Sequence, residues 1–141
     1  MTKGAYVLIT YNEEDNNEIR IGRLGKIQFQ KGYYCYVGSA LGKPKTSVCL
    51  ENRVRRHINS SFVPNGDENR PKKHWHIDYV LANPHITIIK LLLIPCSVKI
   101  ECEVAERLNM RSEGLVNGFG CSDCECDSHL FYFKHMPIII E

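Results

Sequence analysis

The chain has 141 residues and a mass of 16.2 kDa, which is one domain's worth of sequence and enough to bury a core without staples. Its 18 basic and 16 acidic side chains leave a formal charge of +2, which excludes a polycation that coats nucleic acid over its whole surface but not a local basic face. A composition of 43% hydrophobic and 24% charged residues excludes a disordered chain. No apolar run reaches the roughly 18 residues of a membrane span. The opening Met-Thr-Lys-Gly-Ala-Tyr lacks the apolar stretch of a signal peptide. A cytoplasmic protein with no membrane partner is expected.

Residues 4–11, rich in β-branched and aromatic types, read as a strand, followed by an acidic, Asn-rich turn over 12–17. Residues 18–22 and 26–30 alternate apolar and polar side chains about a turn at Leu24-Gly25, and 33–38 form a further aromatic strand. The first 38 residues thus predict an antiparallel meander. A small-residue loop, Gly38 to Gly42, leads to a helix over 47–59, with Ser47 as its candidate N-cap. Residues 59–71 are a polar loop, and 74–81 are a short amphipathic stretch. The β-branched run 86–94 is the best candidate for a fully buried strand. Residues 101–109 read as a helix with Val104, Ala105 and Leu108 on one side, 114–127 as a Gly- and Cys-rich loop, and 129–133 as a short strand. The expected architecture is a single α+β domain over 1–141, a small, mainly antiparallel sheet flanked by helices.

Seven cysteines are many for this length, and the odd number prevents complete internal pairing. Without an export signal, a disulfide framework is the poorer reading. Cys35 and Cys49 read as small hydrophobes, and Cys96 and Cys102 flank a strand-to-helix turn. Cys121, Cys124, Cys126 and His129 have the ligand types of a tetrahedral zinc site. All four crowd into nine residues, however, whereas zinc sites usually draw two ligand pairs from separate elements. Buried or redox-active thiols, or a Cys121–Cys126 disulfide, are the alternatives.

Charge is unevenly spread. Between Lys43 and His76 stand eight basic residues, three acids and three histidines, the footprint of a phosphate-binding face. Gly4-Ala5-Tyr6, then Tyr36-Val37-Gly38, then the arginine-bearing Leu50 to His57 appear in an order that resembles the GIY-YIG nuclease superfamily. Gly32 to Gly42, His74 to Tyr79, Glu101-Cys102-Glu103 and Asp123 to Phe133 look like an archaeal and bacterial branch of it, some of whose members are fused to endonuclease III. The resemblance covers essentially the whole chain.

The resemblance implies a metal-dependent endonuclease that hydrolyses phosphodiester bonds in DNA, structured or damaged DNA in repair, with RNA left open. It implies one divalent ion, Mg²⁺ or Mn²⁺, and a repair protein as a partner that supplies specificity. Tyr6 and Tyr36 match the two motif tyrosines, one of which acts as or orients the general base for water. Arg53 matches the helix arginine, whose planar fork can hold the scissile phosphate. His57, one turn on, can contact phosphate or relay a proton. Glu101 matches the carboxylate on the metal, and Glu103 is the alternative; standing two apart on a helix, they cannot both serve. His74 and His76 face one side if that segment is extended and diverge if it is helical; His76 joins the catalytic candidates, and Asp78 can fix a histidine tautomer. Lys43, Lys45, Arg55, Arg56, Lys72 and Lys73 are the expected nucleic-acid contacts. Three features depart from the superfamily pattern: Ala5 replaces the usual Ile, an extra hairpin near Glu18–Gln30 separates the two motifs, and the C-terminal asparagine has no convincing match. The alternative is a non-catalytic nucleic-acid-binding or interaction module that keeps the fold.

Overall fold

A computed structural model describes residues 4–40, 54–58, 75–96, 100–120 and 127–137. Its centre is a five-stranded sheet in the order β3-β1-β2-β5-β4, formed by β1 (Gly4–Arg20), β2 (Lys26–Ala40), β3 (Ile86–Pro95), β4 (Gly114–Leu115) and β5 (Leu130–Phe133). Every ladder is antiparallel. Residues 54–58 are helical (α1), and α2 (His76–Leu81) and α3 (Glu101–Arg111) complete the layers. This is the expected α+β class.

β1 carries the core because it lies between β2 and β3. Its residues alternate between faces, and both faces are covered. Tyr6 and Leu8 pack with Ile77, Val80 and Leu81 of α2, while Val7 and Ile9 pack with Ala105 and Leu108 of α3. Cys35, on the α3 side, is a buried free thiol whose pKa burial pushes up to about 12, so it behaves as the expected small hydrophobe.

Three sequence expectations are corrected. The meander is instead one long hairpin, whose strands run on through the extra segment to a 3₁₀ turn at Gly22–Leu24. The expected turn at 12–17 is a bulge inside β1, where the register shifts between Asn12 and Asn16. Side chains mend the interrupted ladder: the Asn12 amide donates to the Gln30 carbonyl at 2.9 Å, and the Asn17 amide donates to Asn12 Oδ1 at 3.0 Å. The run 86–94, expected to be buried on both faces, is an edge strand among the described ones, with Ile89 48% and Leu93 46% exposed. An apolar run marks a strand without ranking its place in the sheet; Pro95 at its end suits an edge.

The helix expected over 101–109 runs from Glu101 to Arg111. That over 47–59 is helical at 54–58, its remainder lying outside the described residues, as do Cys49, Cys121, Cys124 and Cys126. The expected loop at 114–127 contributes the two-residue β4. Cys102 is disulfide-bonded, although the sequence makes a disulfide framework the poorer reading. Among the described residues no helix is long and apolar enough to cross a membrane.

Candidate active site

The hairpin register brings the two motif tyrosines together. Tyr6 pairs with Gly38 and Leu8 with Tyr36, so the tyrosines are diagonal neighbours on one face, with ring centroids 6.2 Å apart. The motif glycines follow from the same packing. A Cβ on Gly38 would collide with the Tyr6 ring, which lies across the β2 backbone there, and one on Gly4 would collide with the Ile94 carbonyl.

α1 lays a histidine on this pair. The Tyr6 hydroxyl and His57 Nε2 are 2.6 Å apart, with both side chains buried. The His57 ring stands edge-on to Tyr36 at 6.2 Å and to Trp75 at 6.0 Å. Arg56 fixes the helix that presents it. Its guanidinium donates to Asp78 Oδ2 at 3.0 Å and lies 4.8 Å from the centre of the Trp75 ring. Asp78, at the third position of α2, also accepts the Trp75 backbone N–H at 2.9 Å, half of a capping box. Arg56 and the Trp75 amide are thus two of the partners that hold Asp78. His76 is the first residue of α2, Trp75 before it is extended, and His74 lies outside the described residues.

His76 opens α2 and ties it to the 117–120 turn. Its Nδ1 accepts the Gly120 N–H at 2.8 Å, which puts the proton of the neutral ring on Nε2. Burial pushes the His76 pKa down, in the same sense. Gly120 itself has φ +71°, and a Cβ there would stand 3.3 Å from His129 Cβ and 3.5 Å from Tyr36 Cε1. A left-handed glycine is the residue that lets His76, Tyr36 and His129 converge.

His129 leads to the last carboxylate. It precedes β5 opposite Val37, whose N–H it accepts at 2.9 Å, and its buried Nδ1 lies 3.9 Å from Glu101 Oε2. Glu101 opens α3 with a side chain 14% exposed, whereas that of Glu103 is 64% exposed and pairs with Arg107 at 3.4 Å. Of the two expected metal carboxylates, Glu101 points inward. The tyrosines face α1 and α2 while α3 packs on the opposite face, so the two halves meet at the sheet end, where β1 and β5 begin.

A family model described as "Domain of unknown function DUF123" matches residues 5–140. The chain belongs to this family. A search of curated proteins and one of solved structures find no match. The DUF123 span takes in Tyr6, Tyr36, His57, His76, Glu101 and His129, every member of the cluster.

Of the other sequence candidates, Arg55 is exposed and Arg56 is engaged with Asp78 and Trp75. Arg53, Lys43, Lys45, Lys72 and Lys73 lie outside the described residues, and so do three of the four members of the Cys121–His129 cluster. Sequence reading missed Trp75, Phe119 and Gly120 as parts of the site. Phe119 walls it, with its ring 6.0 Å from Tyr36 and 5.4 Å from His76. The available signal was the Gly118-x-Gly120 pair, since two glycines of positive φ shape a tight turn that can approach a strand closely.

Proposed function

We propose that this DUF123 chain is a cytoplasmic, metal-dependent endonuclease of the GIY-YIG kind, hydrolysing phosphodiester bonds in structured or damaged DNA. The observation that carries the reading is the 2.6 Å contact between Tyr6 and His57 beside Tyr36, with His129 and Glu101 at the same sheet end. In the tautomer whose Nε2 accepts, the Tyr6 hydroxyl donates to the imidazole, which orients the phenol oxygen. Tyr36, 7% exposed where Tyr6 is fully buried, is the less enclosed of the two tyrosines. Glu101 is suited to a divalent ion: one partly open carboxylate matches Mg²⁺ or Mn²⁺, which keep most of their waters. When bound, such an ion would supply charge neutralisation at the phosphate and acidify water. Arg53 would clamp the scissile phosphate, while Lys43, Lys45, Arg55, Lys72 and Lys73 contact the backbone and a repair protein supplies specificity.

The complete burial of Tyr6 and near-complete burial of His57 favour a second reading. In it the pair is a structural bond within a nucleic-acid-binding module that cuts nothing. Incubating the protein with Mg²⁺ or Mn²⁺ and end-labelled single-stranded, duplex, flapped, branched and abasic DNA separates the two. Metal-dependent nicking that Tyr36→Phe and Glu101→Gln both abolish supports the nuclease. Binding without cutting, equal in wild type and Glu101→Gln, supports the module.

A further inference from the structure

Glu101 has company that a magnesium site does not need. One ligand atom each from Glu101, Cys102 and His129 lie within 4.8 Å of one another, His129 is buried, and Glu101 and Cys102 are partly buried. A carboxylate, a sulfur and an imidazole make a donor set for a borderline cation of the zinc class, since hard Mg²⁺ prefers oxygen alone. Zinc bonds of about 2.0–2.3 Å set tetrahedral ligands roughly 3.3–3.8 Å apart, so the three atoms need close by only about 1 Å. Cys102 is disulfide-bonded, however, and a disulfide sulfur is no thiolate. The same side chain is thus either a cross-link or a ligand.

We propose that Glu101, Cys102 and His129 form a zinc-class metal site that opens when the Cys102 disulfide is reduced and closes when it re-forms. A dithiol reductant passes two electrons to the disulfide, leaving two protein thiols and itself becoming a disulfide. The Cys102 thiol then releases its proton as its sulfur binds the metal, and water takes the fourth position. Re-oxidation by a small disulfide reverses the exchange and expels the ion. The inference goes beyond the nuclease reading and does not rest on it, because its test reads metal rather than cleavage.

The full chain, reduced with dithiothreitol and desalted without oxygen, is titrated with Co²⁺ as a spectroscopic stand-in for zinc. The reduced protein should show sulfur-to-cobalt charge-transfer absorption and take up one tightly held ion, displaced by Zn²⁺; the oxidised protein should show neither. Cys102→Ser should abolish the Cys102 share of that absorption and weaken binding by about 100-fold. Glu101→Gln, at the rim of the cluster, should keep the helical circular dichroism and weaken binding by about tenfold or more. Equal cobalt binding before and after reduction overturns the switch. Wild-type absorption and affinity in reduced Cys102→Ser, or in folded Glu101→Gln, overturn the site. Loss of DNA cleavage alone would leave both standing, since neither readout involves DNA.

Discussion

At the scale of single residues, the site is a problem of space before it is one of chemistry. The Tyr6 ring lies where a side chain on residue 38 would be, so Gly38→Ala forces either the ring or β2 to move. Such overpacking costs about 1–3 kcal/mol. The variant should unfold at lower urea by that amount, and whatever cleavage the wild type shows should fall more steeply than stability, since the Tyr6–His57 contact goes with the ring. A Gly38→Ala protein as stable and as active as wild type would show that the ring need not lie there. The sequence marks Tyr6 and Gly38 as members of the two motifs, and the register of β1 against β2 supplies their close approach. The choice between Glu101 and Glu103 was not legible, because both positions suit a helix start. The place of His129 beside Glu101, 28 residues downstream in sequence, and the exposed pairing of Glu103 with Arg107 separate them.

At the scale of elements, the joints between α1, α2 and the glycine turn decide whether the histidines point correctly. Asp78 is almost fully buried and holds both Arg56 and the start of α2. Asp78→Ala should therefore lower unfolding free energy by about 2–3 kcal/mol, with Asp78→Asn intermediate because it keeps an acceptor for the Trp75 amide. A loss below about 0.5 kcal/mol would show that the pair is ornamental to folding. His76 gives the second joint a pH dependence. Burial sets its folded-state pKa below the ordinary 6.5, so the folded chain prefers the neutral ring more than the unfolded chain does. Its stabilising contribution is complete above that value and is lost as the pH falls toward the folded-state pKa. His76→Asn keeps an acceptor near the Gly120 N–H without titrating. The stability advantage of wild type over this variant should shrink from about pH 8 to about pH 5 in urea titrations; a constant gap would contradict it. The elements themselves were largely legible, since the β-branched runs and α3 fall where the periodicity puts them. The bulge at Asn12 and the edge position of β3 were not. The first depends on amides crossing from one strand to its neighbours, and the second on pairing that an apolar run does not encode.

At the scale of the molecule, the basic stretch tests whether the protein meets a polyanion at all. The net charge of +2 is too small to draw DNA by itself, so the proposed binding would have to come from the cluster between Lys43 and His76. Asp78 neutralises Arg56, which leaves fewer cations for phosphate than the sequence count suggests. With about three or four phosphate contacts, the logarithm of the binding constant should fall with the logarithm of salt concentration at a slope near −3. Replacing Lys72 and Lys73 by Gln should reduce that slope by about 2 if both engage phosphate. Arg56→Met should leave it nearly unchanged, its charge being committed to Asp78 within the fold. Fluorescence anisotropy of a labelled duplex over a salt series reads all three. A wild-type slope near zero would remove nucleic acid as the ligand and with it both the nuclease and the module. A slope that Arg56→Met lowers as much as a lysine would mean that the Asp78 contact opens on binding, making α1 the element that yields to the phosphate backbone.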